Sequence, residues 1–397
     1  MTLASLVLLA VGIAGALAGL RRPVLAAVPV AAAAVAVLVG LLDAEAAGDA
    51  LGDLVEPLAF LLTAVPLAVL LDELGAFEAV ARRLPHRWLA PGLWAVGTVT
   101  VALVNLDAAV VLLTPVAVRA ARRSGLDPVG LALQPALLSS LASSFLPVSN
   151  LTNLIAEQDD PRGPVAFLRV LGPPSIAAVA VGYLAWHLWW RPAVSRVDAT
   201  HPGPGREPVD DGPALRVAVQ AGGVLLVGFT VGDGLGVAPW MVSGLVMVAL
   251  AVRARRLPLR TVPWTSALTV AGLAVLAVAV ADQVDLGRAL GSGEGPLGTA
   301  RLVGVGALGA NLTNNLPAFL AGRPALPATD VARWAWLLGV NAGPTVLVTG
   351  SLAGILWLDV ARRSGLDVSW RDYLRAGLRV GLPALAAATS VLVVLGP

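Results

Sequence analysis

The sequence contains no cysteine, and the 27 basic residues are all arginine, so lysine is missing as well. Without cysteine there is no disulfide framework and no thiolate to ligate a metal or capture a soft metalloid. Without lysine there is no Walker A loop, which excludes ATP hydrolysis by that route. Charge is scarce: 13% of the 397 residues are charged, against roughly 25% in ordinary soluble chains. Aromatic residues make up only 5%. His86, His187 and His201 lie far apart, near apolar-run ends or in a polar loop, and do not have metal-ligand spacing. No cofactor and no nucleic-acid partner is expected.

What is abundant is apolar: 57% of residues are hydrophobic and the mean hydropathy is +0.82. Ala, Val, Leu and Gly form runs long enough to cross a hydrocarbon layer about 30 Å thick. These runs predict spans near 3–20, 23–42, 54–71, 131–156, 165–190, 215–232, 237–252, 264–281, 331–358 and 374–395. The first run is expected to be a retained span, because Arg21 and Arg22 follow it in place of a small-residue cleavage site. Two further stretches, 90–118 and 297–322, are too long for one crossing and carry polar residues at their centres, Asn-Leu-Asp at 105–107 and Asn-Leu-Thr-Asn-Asn at 311–315. Each reads as a re-entrant helical hairpin, since broken backbone at membrane depth is tolerated only where it lines a protein cavity. The expected fold is an all-α polytopic membrane protein with about ten transmembrane helices and two re-entrant hairpins.

With Arg21 and Arg22 inside, the alternation of spans puts most arginines in cytoplasmic loops and the acidic loops 43–53, 157–160 and 282–294 outside. Both termini are then external. Residues 191–214, rich in Pro, Gly and mixed charge, read as a cytoplasmic linker. The linker separates a first repeat, 1–190, from a second, 215–397. Each would hold five crossings and one hairpin, and an odd number of crossings inverts the second relative to the first. Inverted repeats with discontinuous helices are the design of secondary transporters. The heptapeptide ARRSGLD, at 121–127 and again at 361–367, falls on one side of the membrane in both copies and is not part of that inversion. The eleven tryptophans, mostly near span ends, read as interfacial anchors.

Four polar segments interrupt the apolar sequence, with Pro147, Pro317 and Pro344 marking breaks. They supply the candidate site: Asn105 and Asp107; Ser149, Asn150, Thr152 and Asn153; Asn311, Thr313, Asn314 and Asn315; Asn341 and Thr345. Such side chains can cap half-helix ends and offer donors and acceptors to a desolvated solute. The plainer alternative is that they glue helices together. Asp107 is the one acid placed at membrane depth, where a carboxylate costs about 2.5–3.5 kcal/mol on insertion scales, and it is the candidate for proton coupling. A local capping role is the alternative. Glu56, Asp72, Glu73, Glu157, Asp233 and Asp359 fall near predicted interfaces and read as solvated.

VNLDAAVVLLTPV (104–116), FLPVSNLTNLI (145–155), ANLTNNLPAFL (310–320) and GPTVLVTGSLAGILWLDVARRSGLDVSWRDYLRAGLRVGLP (343–383) resemble, in order, segments of the arsenical pump membrane protein family of the ion-transporter superfamily. The resemblance covers essentially the whole chain. It implies a cell-membrane exporter of arsenite or antimonite, exchanged for protons or boosted by a separate ATPase subunit. Carboxylate or other anion transporters and sodium/proton antiporters share the superfamily and are the competing expectation. Where the family's first hairpin commonly reads Asn-Asn-Asp, this chain has Asn105, Leu106 and Asp107. Asn341 stands where an acidic residue is usual, and Thr345 occupies a position that is polar or basic in the family.

Overall fold

The computed structural model describes residues 2–19, 27–190, 211–232, 235–283 and 286–396; most of the predicted linker lies outside them. Among the described residues the regular structure is helical, with no strand. Before the linker come α1 (Thr2–Gly19), α2 (Val28–Leu38), α3 (Ala44–Gly52), α4 (Val55–Glu73), α5 (Ala76–Arg83), α6 (Leu89–Leu103), α7 (Leu106–Arg123), α8 (Pro128–Leu141), α9 (Leu151–Asp159), α10 (Gly163–Val170) and α11 (Gly172–Trp189). After it come α12 (Gly212–Val231), α13 (Pro239–Ala254), α14 (Trp264–Ala281), α15 (Gly287–Leu290), α16 (Gly295–Thr313), α17 (Asn315–Gly322), α18 (Asp330–Ala342), α19 (Leu352–Arg363), α20 (Trp370–Ala376) and α21 (Leu382–Leu395).

A chain with 29 prolines folds this way because many occupy first helical turns, where the missing N–H would have had no partner. Helices α2, α8, α10, α11, α12, α13, α16 and α21 all begin so. By length and composition, four helical segments can each cross a membrane: α4, α12, α14 with its preceding turn, and α20 continued through a π turn into α21. A fifth candidate is α10 with α11, a pair bent by 50° at Leu171 within the predicted span 165–190. Pro173 and Pro174 account for the bend, since neither has an N–H to donate to the preceding turn and their rings crowd it.

Two other predicted spans are not continuous helices. The stretch 131–156 divides into α8 and α9, and 331–358 into α18 and α19, each with an irregular segment between. Among the described residues of 23–42, the α-helix is the eleven residues of α2. Segments 90–118 and 297–322 are interrupted as expected, at Asn105 between α6 and α7 and at Asn314 between α16 and α17.

The burial pattern is that of a lipid-embedded chain. Helix α12 buries a stripe at four-residue spacing, Val217, Ala221, Leu225 and Phe229, and exposes Val219, Val224, Leu226, Val227 and Val231. A helix apolar on every face and exposed on most of them needs an apolar solvent. The main core collects residues from both halves, while a smaller second core joins α1, α2, α3 and α14 through Leu9, Ala36, Leu276 and Ala279. Helix α14 meets α2 at Gly272, where a Cβ would come within 2.4 Å of the Pro29 carbonyl carbon. Small residues permit such approaches between membrane helices.

Candidate functional site

Three helices begin at breaks in the chain and are capped by their own side chains. The Asp107 N–H donates to Asn105 Oδ1 at 2.8 Å, opening α7. The Thr152 N–H donates to Asn150 Oδ1 at 3.3 Å, opening α9. The Gly354 N–H donates to Ser351 Oγ at 3.2 Å, opening α19. Asn and Ser do this because a short side chain in extended backbone reaches the free N–H groups of the first turn. At the fourth break, Asn314 takes φ +84°, a conformation few residues other than glycine adopt, and its amide donates to Thr349 O at 3.3 Å.

The breaks at 142–150 and 343–351 place the first and second halves against each other, and the contact centres on Asn341. Its Oδ1 accepts from Asn150 Nδ2 at 2.9 Å and from Thr152 Oγ1 at 2.6 Å. Its Nδ2 donates to Asn153 Oδ1 at 2.6 Å and Ser144 Oγ at 3.3 Å. Asn153 Nδ2 in turn donates to the carbonyls of Ser143 and Leu146, at 2.8 and 3.0 Å, filling acceptors left free where α8 ends. All of these side chains are buried, and every one is uncharged. Such a network is costly to break, because each lost partner leaves a desolvated group.

The remaining candidates hold the other breaks together. Ser149 Oγ donates to Ala102 O at 3.1 Å, tying the 142–150 segment to α6. Asn311 Nδ2 donates to Ala307 O and Gly343 O, and its Oδ1 accepts from the Leu347 N–H at 2.8 Å, tying α16 to the 343–351 segment. Thr313 Oγ1 is spent on Gly309 O in its own helix. Asn315 is buried at the start of α17. Thr345 Oγ1 lies 3.4 Å from Ala342 O, and a Cβ on Gly381 would come within 2.2 Å of it. Asp107 stands apart: its Oδ1 and the neighbouring Asn105 Nδ2 are both buried without a hydrogen-bond partner among the described residues.

Sequence reasoning missed Ser143, Ser144 and Tyr373, whose hydroxyl donates to Pro344 O at 3.3 Å. The run SSLASS at 139–144, immediately before a break, was the available signal. It also missed Arg333, which donates to the carbonyls of Ala156 and Asp160 at 2.6 Å each and closes the C-terminal end of α9. Arg333 sits eight residues before Asn341, about 12 Å along α18. Beside it a cavity of about 330 Å³ is lined by Arg162, Arg323, Asp159, Asp160, Asp330 and Trp336, among others. Arg162 pairs with Asp160 at 2.9 Å and Asp330 at 2.7 Å; Arg323 pairs with Asp53 and Asp159. The hydrogen bond from Arg162 holds the Asp160 carboxyl below its usual range, whereas burial pushes Asp159 up despite Arg323.

The model of a family described as citrate transporter (CitMHS) matches residues 6–349. An arsenical pump membrane protein of Escherichia coli is 27% identical over 361 residues, 82% of each chain. An uncharacterized transporter of Mycobacterium bovis is 28% identical over 205 residues, 45% of this chain and 48% of that one. Among solved structures, the YdaH transporter of Alcanivorax borkumensis, reported to have an unusual topology, superposes with a TM-score of 0.53 at 16% identity, over 89% of each chain. That likeness is one of fold. With helices apolar enough to cross a bilayer, a buried polar network joining its two halves beside helix breaks and a family match over most of its length, this chain is a polytopic membrane transporter belonging to the CitMHS citrate transporter family of ion transporters.

Proposed function

We propose that the chain is a secondary-active exporter of arsenous acid or its antimony analogue, exchanged for protons across the cell membrane. The observation that carries this reading is the uncharged network around Asn341. It offers amide and hydroxyl groups from both halves and no formal charge, which suits a neutral polyol, the form those acids take near neutral pH. With no cysteine in the chain, recognition rests on hydrogen bonds. In this reading 90–118 and 297–322 are re-entrant hairpins of two inverted repeats, 1–190 and 215–397, and both termini are external. Asn105, Ser149, Asn150, Thr152, Asn153, Asn311, Thr313, Asn314, Asn315, Asn341 and Thr345 surround the solute path. Asp107 carries the proton. The arsenical pump named among the relatives supports the substrate class.

A second reading, transport of a carboxylate such as citrate, draws on the family's description and on the three arginines lining the 330 Å³ cavity. Those arginines are paired with aspartates, which leaves less of their charge for an anion. The experiment is uptake into inverted vesicles carrying this chain alone, with arsenite and with citrate, each with and without an imposed proton gradient. Gradient-dependent arsenite accumulation supports the proposal. Citrate uptake without arsenite uptake selects the second reading, and arsenite uptake that needs an added ATPase removes the proton exchange.

A further inference from the structure

Arg371, Arg375 and Arg379 recur at four-residue spacing across α20 and the π turn Gly377–Gly381. Among the described residues only one of the three meets a carboxylate: Arg375, 3.3 Å from Asp372. That carboxylate is already engaged in capping α20, accepting from Ser369 N at 2.9 Å and Ser369 Oγ at 2.7 Å. The other two guanidinium groups lie on aromatic rings, Arg371 5.4 Å from the centroid of Trp370 and Arg379 5.0 Å from that of Trp189. A guanidinium stacked on a ring keeps its in-plane N–H groups available, and those groups match the geometry of a phosphate.

Between these residues is a cavity of about 360 Å³, bounded by Trp189, Trp190, Asp372, Arg375 and Arg379. Trp190 packs tightly against Gly130, where a Cβ would come within 1.9 Å of its indole Nε1. The two helices that carry the cavity also present bare apolar surface next to it. Leu188 adjoins Trp189 and is 63% exposed, while Leu382, one turn from Arg379, is 44% exposed. Leu184 and Leu378 extend the same exposed apolar surface. A free anion would have no use for that surface; acyl chains would.

We propose that this cavity binds the phosphodiester headgroup of an anionic phospholipid, with Arg375 and Arg379 on the phosphate, the two tryptophans walling the headgroup, and the exposed leucines against the acyl chains. Basic residues beside interfacial tryptophans at the end of membrane helices are suited to this chemistry. Because α20 leads directly from the 343–351 segment through α19, a lipid here would brace the helix whose Tyr373 supports Pro344.

The test is native mass spectrometry of the full chain released from phosphatidylcholine nanodiscs doped with phosphatidylglycerol. The wild type should retain phosphatidylglycerol in preference to phosphatidylcholine. Arg375→Gln with Arg379→Gln should lower retained phosphatidylglycerol about tenfold, as expected for the loss of charge-assisted hydrogen bonds. The Arg375→Lys, Arg379→Lys pair should recover part of it, and Arg371→Gln, outside the cavity, should change it little. Should the double glutamine variant misfold, Arg379→Gln alone reports the same effect, because that side chain is exposed and has no ion pair among the described residues. Equal retention by wild type and variants, or equal retention of the two lipids, would overturn the proposal. Displacement of the lipid by excess inorganic phosphate would reassign the cavity to a free anion and overturn it too.

Discussion

Asn341 donates its amide to Asn153 Oδ1 at 2.6 Å, joining α18 to α9 across 188 positions of sequence. The bond is direct, buried, and part of a network in which Asn341 uses both ends of its side chain. Asn341 thereby ties α18, which runs into the break at 343–351, to the break at 142–150 and the start of α9.

That dependence predicts the effect of Asn341→Leu. The substitution leaves Asn150, Thr152 and Asn153 buried with unmatched groups, at a cost of about 1–3 kcal/mol for each that finds no new partner. Chemical denaturation of the purified chain should show a loss of that size, and vesicle transport should fall to background. A variant as stable and active as wild type would reduce the network to ordinary helix packing.

Glycine substitutions separate tight sites from open ones. At Gly377 a Cβ would come within 2.2 Å of Thr345 O and 2.6 Å of Val346 Cα, both backbone atoms of the 343–351 segment. Gly377→Ala should cost about 1–3 kcal/mol, because the backbone it strikes cannot rotate away. At Gly223 in α12 nothing lies within 4 Å of the added atom, so Gly223→Ala should be neutral or stabilising by up to about 1 kcal/mol through helix propensity. The unfolding midpoint should fall for Gly377→Ala and hold or rise for Gly223→Ala.

How far the sequence anticipates this arrangement varies by feature. Predicted span 264–281 coincides with α14, because a run apolar on all sides ends where the hydropathy ends. Pro147 and Pro344 both fall inside breaks, since proline removes a helix donor and clashes with the preceding turn. Hydropathy is blind to direction, however, so the spans 131–156 and 331–358 are outlined by their apolar runs although Pro147 and Pro344 mark breaks inside them, and nothing in hydropathy signals the bend at Leu171. Asn341, Asn150, Thr152 and Asn153 stand out as polar residues in apolar surroundings, and they do meet. Ser144 belongs with them but did not stand out, because serines in membrane helices commonly bond their own backbone. Asn105 and Asp107 drew attention for the same reason as Asn341, yet they hydrogen-bond at the α7 start and not with the Asn341 network. Composition cannot sort residues into clusters.

The ion pairs around Glu78 predict a pH dependence. Burial raises this carboxyl, but the hydrogen bond and charge of Arg123, with Arg119 and Arg82, outweigh it and hold Glu78 below its ordinary value of 4.5. A carboxyl depressed in the folded state contributes stability that is complete above its unfolded value and fades as pH falls through the folded one. Glu78→Gln should therefore destabilise the chain at pH 7, detach the first turn of α5 from Arg123 of α7, and differ less from wild type as the pH drops below about 4.5. Denaturation of both proteins at neutral and acid pH measures the convergence. A constant difference across that range would show that packing, and not charge, is what Glu78 supplies.

The last expectation concerns coupling. Asp107 opens α7 one residue after Leu106, and its Oδ1 is buried with no partner among the described residues, next to the equally unpartnered Asn105 amide. An unsatisfied carboxylate oxygen at such a place is unfavourable unless something binds there during the cycle, and a proton or the solute's hydroxyl would serve. Competition between those two occupants is what exchange requires, because the protein can then reorient with one or the other. Asp107→Asn keeps the size of the side chain and its main-chain N–H bond to Asn105 while removing the titratable oxygen. It should retain solute binding and downhill solute exchange, and lose accumulation driven by a proton gradient. The measurement is arsenite flux in inverted vesicles with the gradient present and then collapsed by an ionophore. If gradient-driven accumulation persists at the wild-type rate, Asp107 serves the start of α7 alone, and the proton path runs through a different group.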